Sequence, residues 1–405
     1  MSTMLNDPRL ITTESGSGGV LGGLRRRLAN ADLGTLPIIL GLVVIWAIFQ
    51  MANANFLSPV NLTNLLLQNV SMGTMSVGII LVLLLGDIDL SVGAVSGLSA
   101  AVMAVLNVKS GMPGPLAVLA GLGVGLAIGV LQGVWITKLR VPPFIVTLAG
   151  FLGWQGALLF VLGGTGTVNL RDKFIVGLTS TFWLPPVGWI VGGLFIVIYG
   201  GVALWGRQQR LAAGLSAPSR QVIAVQLVLV AAGILGVIAV LNADRGLPAA
   251  LVLFIGLIIV FDLLTRRTAF GRHVYAVGGN AEAARRASIP VDRIRIAVFA
   301  LCSTLAAAGG ILGGSRLLAV NQSSGSGDLL LNAIAAAVIG GTSLFGGRGS
   351  VWAALLGVLV IGSISNGMDL LALESPIKYM ITGLVLLLAV TLDALTRRRR
   401  QAVGR

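Results

Sequence analysis

Long apolar segments separated by short polar loops run through most of this chain. Twelve of them are long enough, or nearly long enough, to cross a bilayer, where a helical span needs roughly 20 residues. They lie near 34–52, 62–85, 92–107, 115–137, 144–163, 187–205, 221–241, 247–264, 296–319, 328–345, 350–368 and 376–394. Charged residues make up only 10% of the 405 residues, against about a quarter in soluble domains. The pattern predicts an all-α, polytopic membrane protein.

The same segments predict how the chain is divided. The third, tenth and eleventh are short or interrupted by glycine, so we expect about 12 transmembrane helices, within a range of 10–12. Residues 1–33 are polar and rich in Gly, Ser and Thr, which is typical of a flexible tail. Residues 34–395 are expected to form a single transmembrane domain, followed by a basic tail over 396–405.

The distribution of positive charge predicts the orientation of the chain. Cytoplasmic loops are enriched in Lys and Arg, and alternation from an inside N-terminus places 22 of these residues inside and 5 outside. Both termini are therefore predicted to be cytoplasmic. The net charge of +14 follows from this bias, because the arginines flank apolar segments and form no basic stripe. We expect no nucleic-acid partner.

The residue types exclude several kinds of site. Cys302 is the only cysteine and His273 the only histidine, so no internal disulfide can form and we expect no metal site. The nucleotide-binding pattern Gly-x-x-x-x-Gly-Lys-Ser/Thr is absent, and so is a nucleophile elbow. We expect no cofactor and no catalytic residues, and we interpret Cys302 as a small core residue.

One polar loop, residues 265–295, interrupts the apolar segments of the second half. It carries seven arginines and one histidine, but only two acids, Glu282 and Asp292. Its positive charge predicts that it faces the cytosol. A loop of this size and charge on a membrane protein is interpreted as a docking surface.

A short helix is predicted within this loop, over residues 279–287. Asn280 is a favourable N-cap, and Glu282 lies in the first turn, where the helix dipole favours an acid. Arg285 and Arg286 lie near the C-terminal end, where cations are favoured. The helix is either a knob that fits a groove on a partner or a plain amphipathic surface helix.

A second polar interruption lies at residues 86–93 (Gly-Asp-Ile-Asp-Leu-Ser-Val-Gly). A charged side chain at the bilayer centre costs about 2.5–3.5 kcal/mol, so Asp87 and Asp89 are expected at a helix break or end. Asp89 can cap a helix that starts near Ser91. The residues Asp87, Asp89, Ser91 and Gly93 form either a hinge or polar lining beside a transport path, or a capped turn at the membrane edge.

Isolated polar and aromatic side chains within the apolar segments are candidates for lining a hydrated transport pathway. A hydroxylated solute needs hydrogen-bond donors, acceptors and an aromatic face, yet amides in a membrane also bond one helix to another. Arg316 either needs buried partners or extends to the outer interface. The candidates are Asn69, Gln132, Trp154, Gln155, Arg316 and Asn366.

Four stretches have recognisable patterns: 87–93, 141–148 (Val-Pro-Pro-Phe-Ile-Val-Thr-Leu), 268–285 with its Thr-Ala-Phe-Gly-Arg start, and 338–350 with its Val-Ile-Gly-Gly-Thr-Ser start. Together they resemble one family, the sugar permeases of bacterial ABC importers of the ribose, galactose and xylose type. The similarity runs from about residue 36 to the C-terminus. Apolar material near 187–245 and the stretch 275–280 are similar to the xylose-transporting subgroup.

This resemblance implies a transmembrane permease that forms a homodimer in the cytoplasmic (inner) membrane, in contact with lipid. A cytosolic ABC ATPase subunit would grip the loop, and a periplasmic sugar-binding protein would dock outside. The residues that would couple to the ATPase are Gly279, Asn280, Glu282, Ala283, Ala284, Arg285, Arg286 and Ser288. The chain departs from the family at Ser288, where glycine is usual.

We therefore expect the permease subunit of an importer for a monosaccharide, D-xylose, which enters the cytoplasm unmodified. An ion-coupled secondary sugar transporter is the alternative, and it needs a titratable group within the membrane. The acids Asp87, Asp89, Asp262 and Asp328 all lie at segment edges, which weakens that alternative. A membrane-embedded enzyme is a third class, for which the chain offers no catalytic constellation.

Overall fold

The computed structural model describes residues 36–402, and the predicted tail over 1–33 lies outside this range. The described chain is mainly helical. Its helices are α1 Leu36–Ala52, α2 Pro59–Leu84, α3 Val92–Val108, α4 Gly114–Lys138, α5 Pro143–Leu162, α6 Lys173–Ser180, α7 Pro185–Ala212, α8 Arg220–Asn242, α9 Ala249–Arg267, α10 Ala269–Gly279, α11 Ala281–Arg286, α12 Val291–Leu317, α13 Gly327–Ile339, α14 Trp352–Leu370 and α15 Ser375–Ala402.

Every one of the twelve predicted apolar segments coincides with a helix, namely α1–α5, α7–α9 and α12–α15. Eight helices within residues 36–402 are long and apolar enough to cross a membrane. The helices α1 and α3 and the apolar part of α13 are shorter. Helix α15 continues to Ala402, through most of the predicted basic tail. The prediction of a mainly helical, multi-pass membrane protein is confirmed.

Four strands of two or three residues interrupt the helices: β1 Thr167–Asn169, β2 Phe182–Trp183, β3 Leu247–Pro248 and β4 Ala319–Asn321. Strands β1 and β4 pair in antiparallel register, with Val168 opposite Val320. This pairing ties the loop after α5 to the end of α12.

Proline marks the start of several helices. Pro59, Pro143 and Pro185 each occupy the first position of a helix, where the missing N–H would have no partner within the helix. Ser58 adds a side-chain cap to α2 by accepting a hydrogen bond from the Asn61 amide at 3.3 Å. These local signals set helix boundaries without help from tertiary contacts.

The described chain divides into two compact units. One contains α7 and α8 within residues 182–247. Its two helices pack through glycines, because a Cβ at Gly192 would lie 2.0 Å from Ile238 Cδ1. The other unit contains α1–α6 and α9–α15.

The larger unit is built around α12, which packs against α2, α3 and α4. The contact with α4 is close because α4 presents glycines at every fourth position. A Cβ at Gly125 would lie 2.5 Å from the Ser303 carbonyl oxygen, and one at Gly129 would lie 2.4 Å from that of Phe299. The helix backbones therefore meet without side chains between them.

Candidate functional site

The arginine-rich loop, residues 265–295, forms two short helices, α10 and α11, between α9 and α12. Asn280 caps α11 by accepting a hydrogen bond from the Ala283 amide at 2.9 Å. The predicted short helix with Asn280 as its N-cap is confirmed. It spans Ala281–Arg286, which is shorter than the predicted 279–287.

A residue with left-handed backbone follows the end of helix α11. Ser288 has φ of +61°, and its amide donates to the Arg285 carbonyl oxygen at 3.0 Å. The next amide, of Ile289, donates to the Ala284 carbonyl oxygen at 3.0 Å. These two bonds form a Schellman motif, whose left-handed position usually carries glycine. The departure from the family pattern at Ser288 therefore falls on the one residue of this turn that glycine would suit.

Helix α11 presents most of its surface to the surroundings. Only Ala284 is buried, at 4% exposure, and it anchors the helix. The Arg286 guanidinium lies 3.4 Å from the Glu282 carboxylate one turn earlier. The remaining predicted coupling residues are exposed, namely Gly279, Asn280, Glu282, Ala283, Arg285, Arg286 and Ser288.

Ion pairs join α11, α4 and the segment before α3 to the start of α12. Arg285 Nη2 lies 3.5 Å from Asp292 Oδ1 at the start of α12, and Lys138 Nζ at the end of α4 lies 3.6 Å from Asp292 Oδ2. One turn further along α12, Arg295 Nε lies 3.2 Å from Asp87 Oδ2. A cleft of about 650 Å³ opens beside these pairs. The Arg285–Asp292 pair therefore links α11 to the start of α12.

Helix α10 meets the end of α2 and the loop before α14 at backbone distance. The Gly347 amide donates to the Leu84 carbonyl oxygen at 2.9 Å, and a Cβ at Gly278 would lie 1.7 Å from that same oxygen. The Tyr275 hydroxyl donates to the Gly349 carbonyl oxygen at 2.9 Å. We call this contact the glycine junction (Gly278, Leu84 and Gly347).

The segment between α2 and α3, residues 85–91, holds both predicted carboxylates in buried positions. Asp89 accepts hydrogen bonds from the Ser91 amide at 2.8 Å and from the Ser91 hydroxyl at 2.7 Å. It therefore orders Ser91, the N-cap residue of α3, but the prediction that Asp89 itself caps this helix is wrong, because no side chain among residues 36–402 bonds the first amides of α3. Burial raises the pKa of Asp87, and the Arg295 guanidinium opposes that rise.

Two of the residues proposed to line a pathway gather at this segment. Gln132 Nε2 on α4 donates to the Ser91 hydroxyl at 2.9 Å. A Cβ at Gly150 on α5 would lie 2.5 Å from Gln132 Nε2 and 3.0 Å from Trp154 Nε1. Gln132 and Trp154 therefore approach the same point from two helices.

Cys302 also belongs to this cluster, which no sequence pattern indicated. It is fully buried near the middle of α12, and it interacts electrostatically with the Asp89 carboxylate. Interpretation as a small core residue accounts for its burial but misses this neighbour. No spacing pattern joins residues that are more than two hundred positions apart.

The other pathway candidates lie apart from this cluster. Asn366 exchanges side-chain hydrogen bonds with Asn61 at 2.8 and 3.0 Å, which joins α14 to α2. Gln155 donates to a backbone carbonyl before α13 at 3.2 Å. Asn69 is buried within α2, and Arg316 is exposed in the last turn of α12. Helix-to-helix bonding accounts for Asn366, and the pathway role of all four stays a prediction.

Comparison with known proteins shows which family the chain belongs to. Residues 61–390 match the family model described as branched-chain amino acid transport system / permease component. The chain is 38% identical to the xylose transport system permease protein of Escherichia coli K12, over 95% of this chain and 96% of that protein. The corresponding protein of Haemophilus influenzae is 36% identical over 92% of this chain and 99% of its own length.

A ribose relative is similar over nearly the same length. The ribose import permease protein of Bacillus subtilis is 32% identical over 87% of this chain and 91% of its own. No solved structure matches the chain. The chain belongs to this permease family, as a multi-pass membrane subunit of the xylose and ribose type of ABC transporter.

Proposed function

We propose that the chain is the membrane subunit of an ATP-binding-cassette importer that carries D-xylose, unmodified, into the cytoplasm. The observation that carries the choice of sugar is the 38% identity to a xylose permease over almost the whole chain, against 32% to a ribose permease. The transported solute would be neutral and rich in hydroxyl groups. The Gln132 amide, the Ser91 hydroxyl and the Trp154 indole beside α3 suit that chemistry.

The partners follow from the same proposal. Two copies of the chain would form the pathway, and a separate ATPase subunit would receive α11 in a groove. A periplasmic sugar-binding protein would deliver the solute from outside. Helix α11 is mostly exposed, with Ala284 buried and Arg285 paired with Asp292, and this suits a part that is gripped from outside.

Energy from ATP would reach the pathway through α12. Movement of α11 would pull on Asp292 at the start of this helix, and Arg295 would carry the movement to Asp87. The segment 85–91 would then shift together with the start of α3. This rocking of packed helices around a polar segment is the alternating-access movement of transporters.

An uptake experiment tests the proposed function. The chain, expressed with its ATPase and binding-protein partners in a host without a xylose permease, is expected to support accumulation of radiolabelled D-xylose. Uptake should persist when a protonophore is added while ATP stays plentiful, and it should stop when ATP is depleted. Excess leucine should not compete, which separates a sugar from the amino acids in the family description.

A substitution on α11 ties this uptake to the ATPase. Arg286→Glu reverses an exposed charge whose one ion pair within residues 36–402 is with Glu282, and it is expected to lower uptake about tenfold or more. Arg293→Glu is the control, because it makes the same charge change at an exposed residue outside α11. Equal uptake by the two variants would remove α11 from the coupling role.

An ion-coupled secondary sugar transporter is the second candidate, and Asp89 favours it. This carboxylate lies between helices, at a segment edge as expected, but it is only 3% exposed and faces the middle of α12. It is thus a buried titratable group of the kind that ion coupling requires. Loss of uptake on adding the protonophore, with ATP unchanged, would select this candidate.

A further inference from the structure

The Asp89 carboxylate lies deep in the helix bundle. Cys302, which faces it, is near the middle of the 27-residue α12, and both residues are almost fully buried. A charged group at the centre of a bilayer costs about 2.5–3.5 kcal/mol even on the lower scales. A carboxylate in this place is therefore expected to have either a functional role or a partner that compensates its charge.

No cation compensates Asp89 among residues 36–402. Its neighbour Asp87 pairs with Arg295, but Asp89 forms no ion pair, and its partners are the Ser91 amide, the Ser91 hydroxyl and the Cys302 thiol. All of them are uncharged. Its second oxygen, Oδ2, is buried and receives no hydrogen bond from a nitrogen or oxygen donor. This carboxylate oxygen can thus accept further hydrogen bonds in an environment that is nearly free of water.

A spare donor lies close by. Trp154 Nε1 is buried and has no acceptor within residues 36–402. It is 3.0 Å from the point where a Gly150 Cβ would stand, and Gln132 Nε2 is 2.5 Å from that point. Gln132 in turn is bonded to Ser91, which is bonded to Asp89. Acceptor, amide and indole therefore form one continuous polar cluster contributed by three different elements.

We infer that Asp89, Gln132 and Trp154 form a contact site inside the membrane for the hydroxyl groups of the transported sugar. The inference rests on the proposed function. A carboxylate accepts hydrogens from hydroxyl groups, an indole N–H donates to a hydroxyl oxygen, and a primary amide does both. The indole ring adds an apolar face for the C–H side of the sugar ring.

In this conformation α5 closes the site, and movement of α5 would open it. Gly150 lets α5 pack directly over the cluster, since any side chain there would clash with Gln132. Thr147, one turn earlier, is hydrogen-bonded to the Ile88 carbonyl oxygen at 3.4 Å, and α5 starts after Pro142. Much of the rest of α5 is exposed, including Phe160 at 88%. Because α5 carries Trp154, movement of α5 away from α4 would open a gap between the Trp154 indole and the Asp89 and Gln132 side chains.

The chain contains its own reporter for this opening. Cys302 is the only cysteine, it is fully buried, and it faces Asp89. The permease, in membranes with its ATPase and binding protein, is treated with the thiol reagent methanethiosulfonate-ethylammonium during ATP turnover. We expect Cys302 to react under turnover, and D-xylose to slow the reaction as its concentration rises.

Two variants test the contact residues. Asp89→Asn and Trp154→Phe are each expected to raise the D-xylose concentration that gives half protection by about tenfold or more, the effect of losing a hydrogen bond to a charged or buried group. Glu374→Gln removes an acid at an exposed residue before α15 and should leave that concentration unchanged. Should Asp89→Asn fail to reach the membrane, Trp154→Phe carries the test.

Two results would overturn the inference. One is a wild-type Cys302 that D-xylose does not protect while the same membranes take up D-xylose. The other is half protection at an unchanged concentration in the folded variants. The absence of D-xylose uptake by the wild-type complex would instead contradict the proposed function, so the two failures are distinguishable.

Discussion

At the scale of single residues, Ser288 carries a side chain at a position whose backbone conformation favours glycine. Its left-handed backbone closes α11 through the two hydrogen bonds of the Schellman motif. A residue with a Cβ pays about 1 kcal/mol or more in this conformation, and glycine does not. The chain therefore carries a small, local strain at the exit of the helix proposed to meet the ATPase.

Removal of the Ser288 side chain should relieve that strain. Ser288→Gly is expected to stabilise the protein by about 0.5–1 kcal/mol, less than the full conformational cost because glycine also loosens the unfolded chain. The midpoint of thermal unfolding of the purified permease measures this. Ser216→Gly is the matched control, at an exposed loop residue whose φ is not positive, and it should not stabilise. An unchanged midpoint for Ser288→Gly would contradict the argument.

The two carboxylates of one short motif have different surroundings. Asp87 pairs with Arg295, whereas Asp89 meets a serine and a thiol. The sequence predicts a polar break at both positions, since both interrupt apolar segments. Their difference depends on where along α12 each one lies, Asp87 beside Arg295 near its start and Asp89 beside Cys302 two turns further on, and nothing local determines that.

At the scale of elements, the glycine junction fixes α10 to the rest of the larger unit. The backbone of Gly278 touches the last residue of α2, and that residue also accepts from the Gly347 amide. A contact between backbones is stiffer than one between flexible side chains. Displacement of α10 should therefore move the end of α2 and the start of segment 85–91 together.

A methyl group at this junction should break it. Gly278→Ala places a Cβ 1.7 Å from the Leu84 carbonyl oxygen, and we expect a loss of about 1–3 kcal/mol, as for other overpacked contacts. Gly279→Ala is the control at the next position, where a Cβ would meet no atom within 4 Å. The amount of monodisperse protein and its thermal midpoint compare the two. Similar behaviour of both variants would contradict the junction.

At the scale of the whole molecule, the orientation of the helices is the prediction with the widest consequences. Twelve spans with both termini inside would put α11 beside the ATPase and the β1–β4 pair outside. Eight helices of residues 36–402 meet the length and hydropathy of a span, and α1, α3 and α13 are shorter. The single transmembrane domain over 34–395 likewise stays a prediction, because the described chain divides into two compact units.

Single cysteines can test the orientation. In a Cys302→Ala background, Ser110→Cys, after α3, should react with an impermeant maleimide in intact spheroplasts. Ser216→Cys, between α7 and α8, should react only after permeabilisation. Both residues are exposed, so lack of reaction is not due to burial. Reaction of Ser216→Cys in intact spheroplasts would reverse the predicted topology at that hairpin.

The helical segments, the membrane environment and the short capped helix at Asn280 are all predictable from the amino-acid sequence alone. Each of these depends on hydrophobic length or on a side chain bonding within a few residues, and such information is local. Only the tertiary structure placed Cys302 against Asp89 and gathered Gln132 and Trp154 there. Those contacts join helices far apart in the chain, and they depend on which faces pack, a choice that apolar helices of similar composition leave open until their backbones meet.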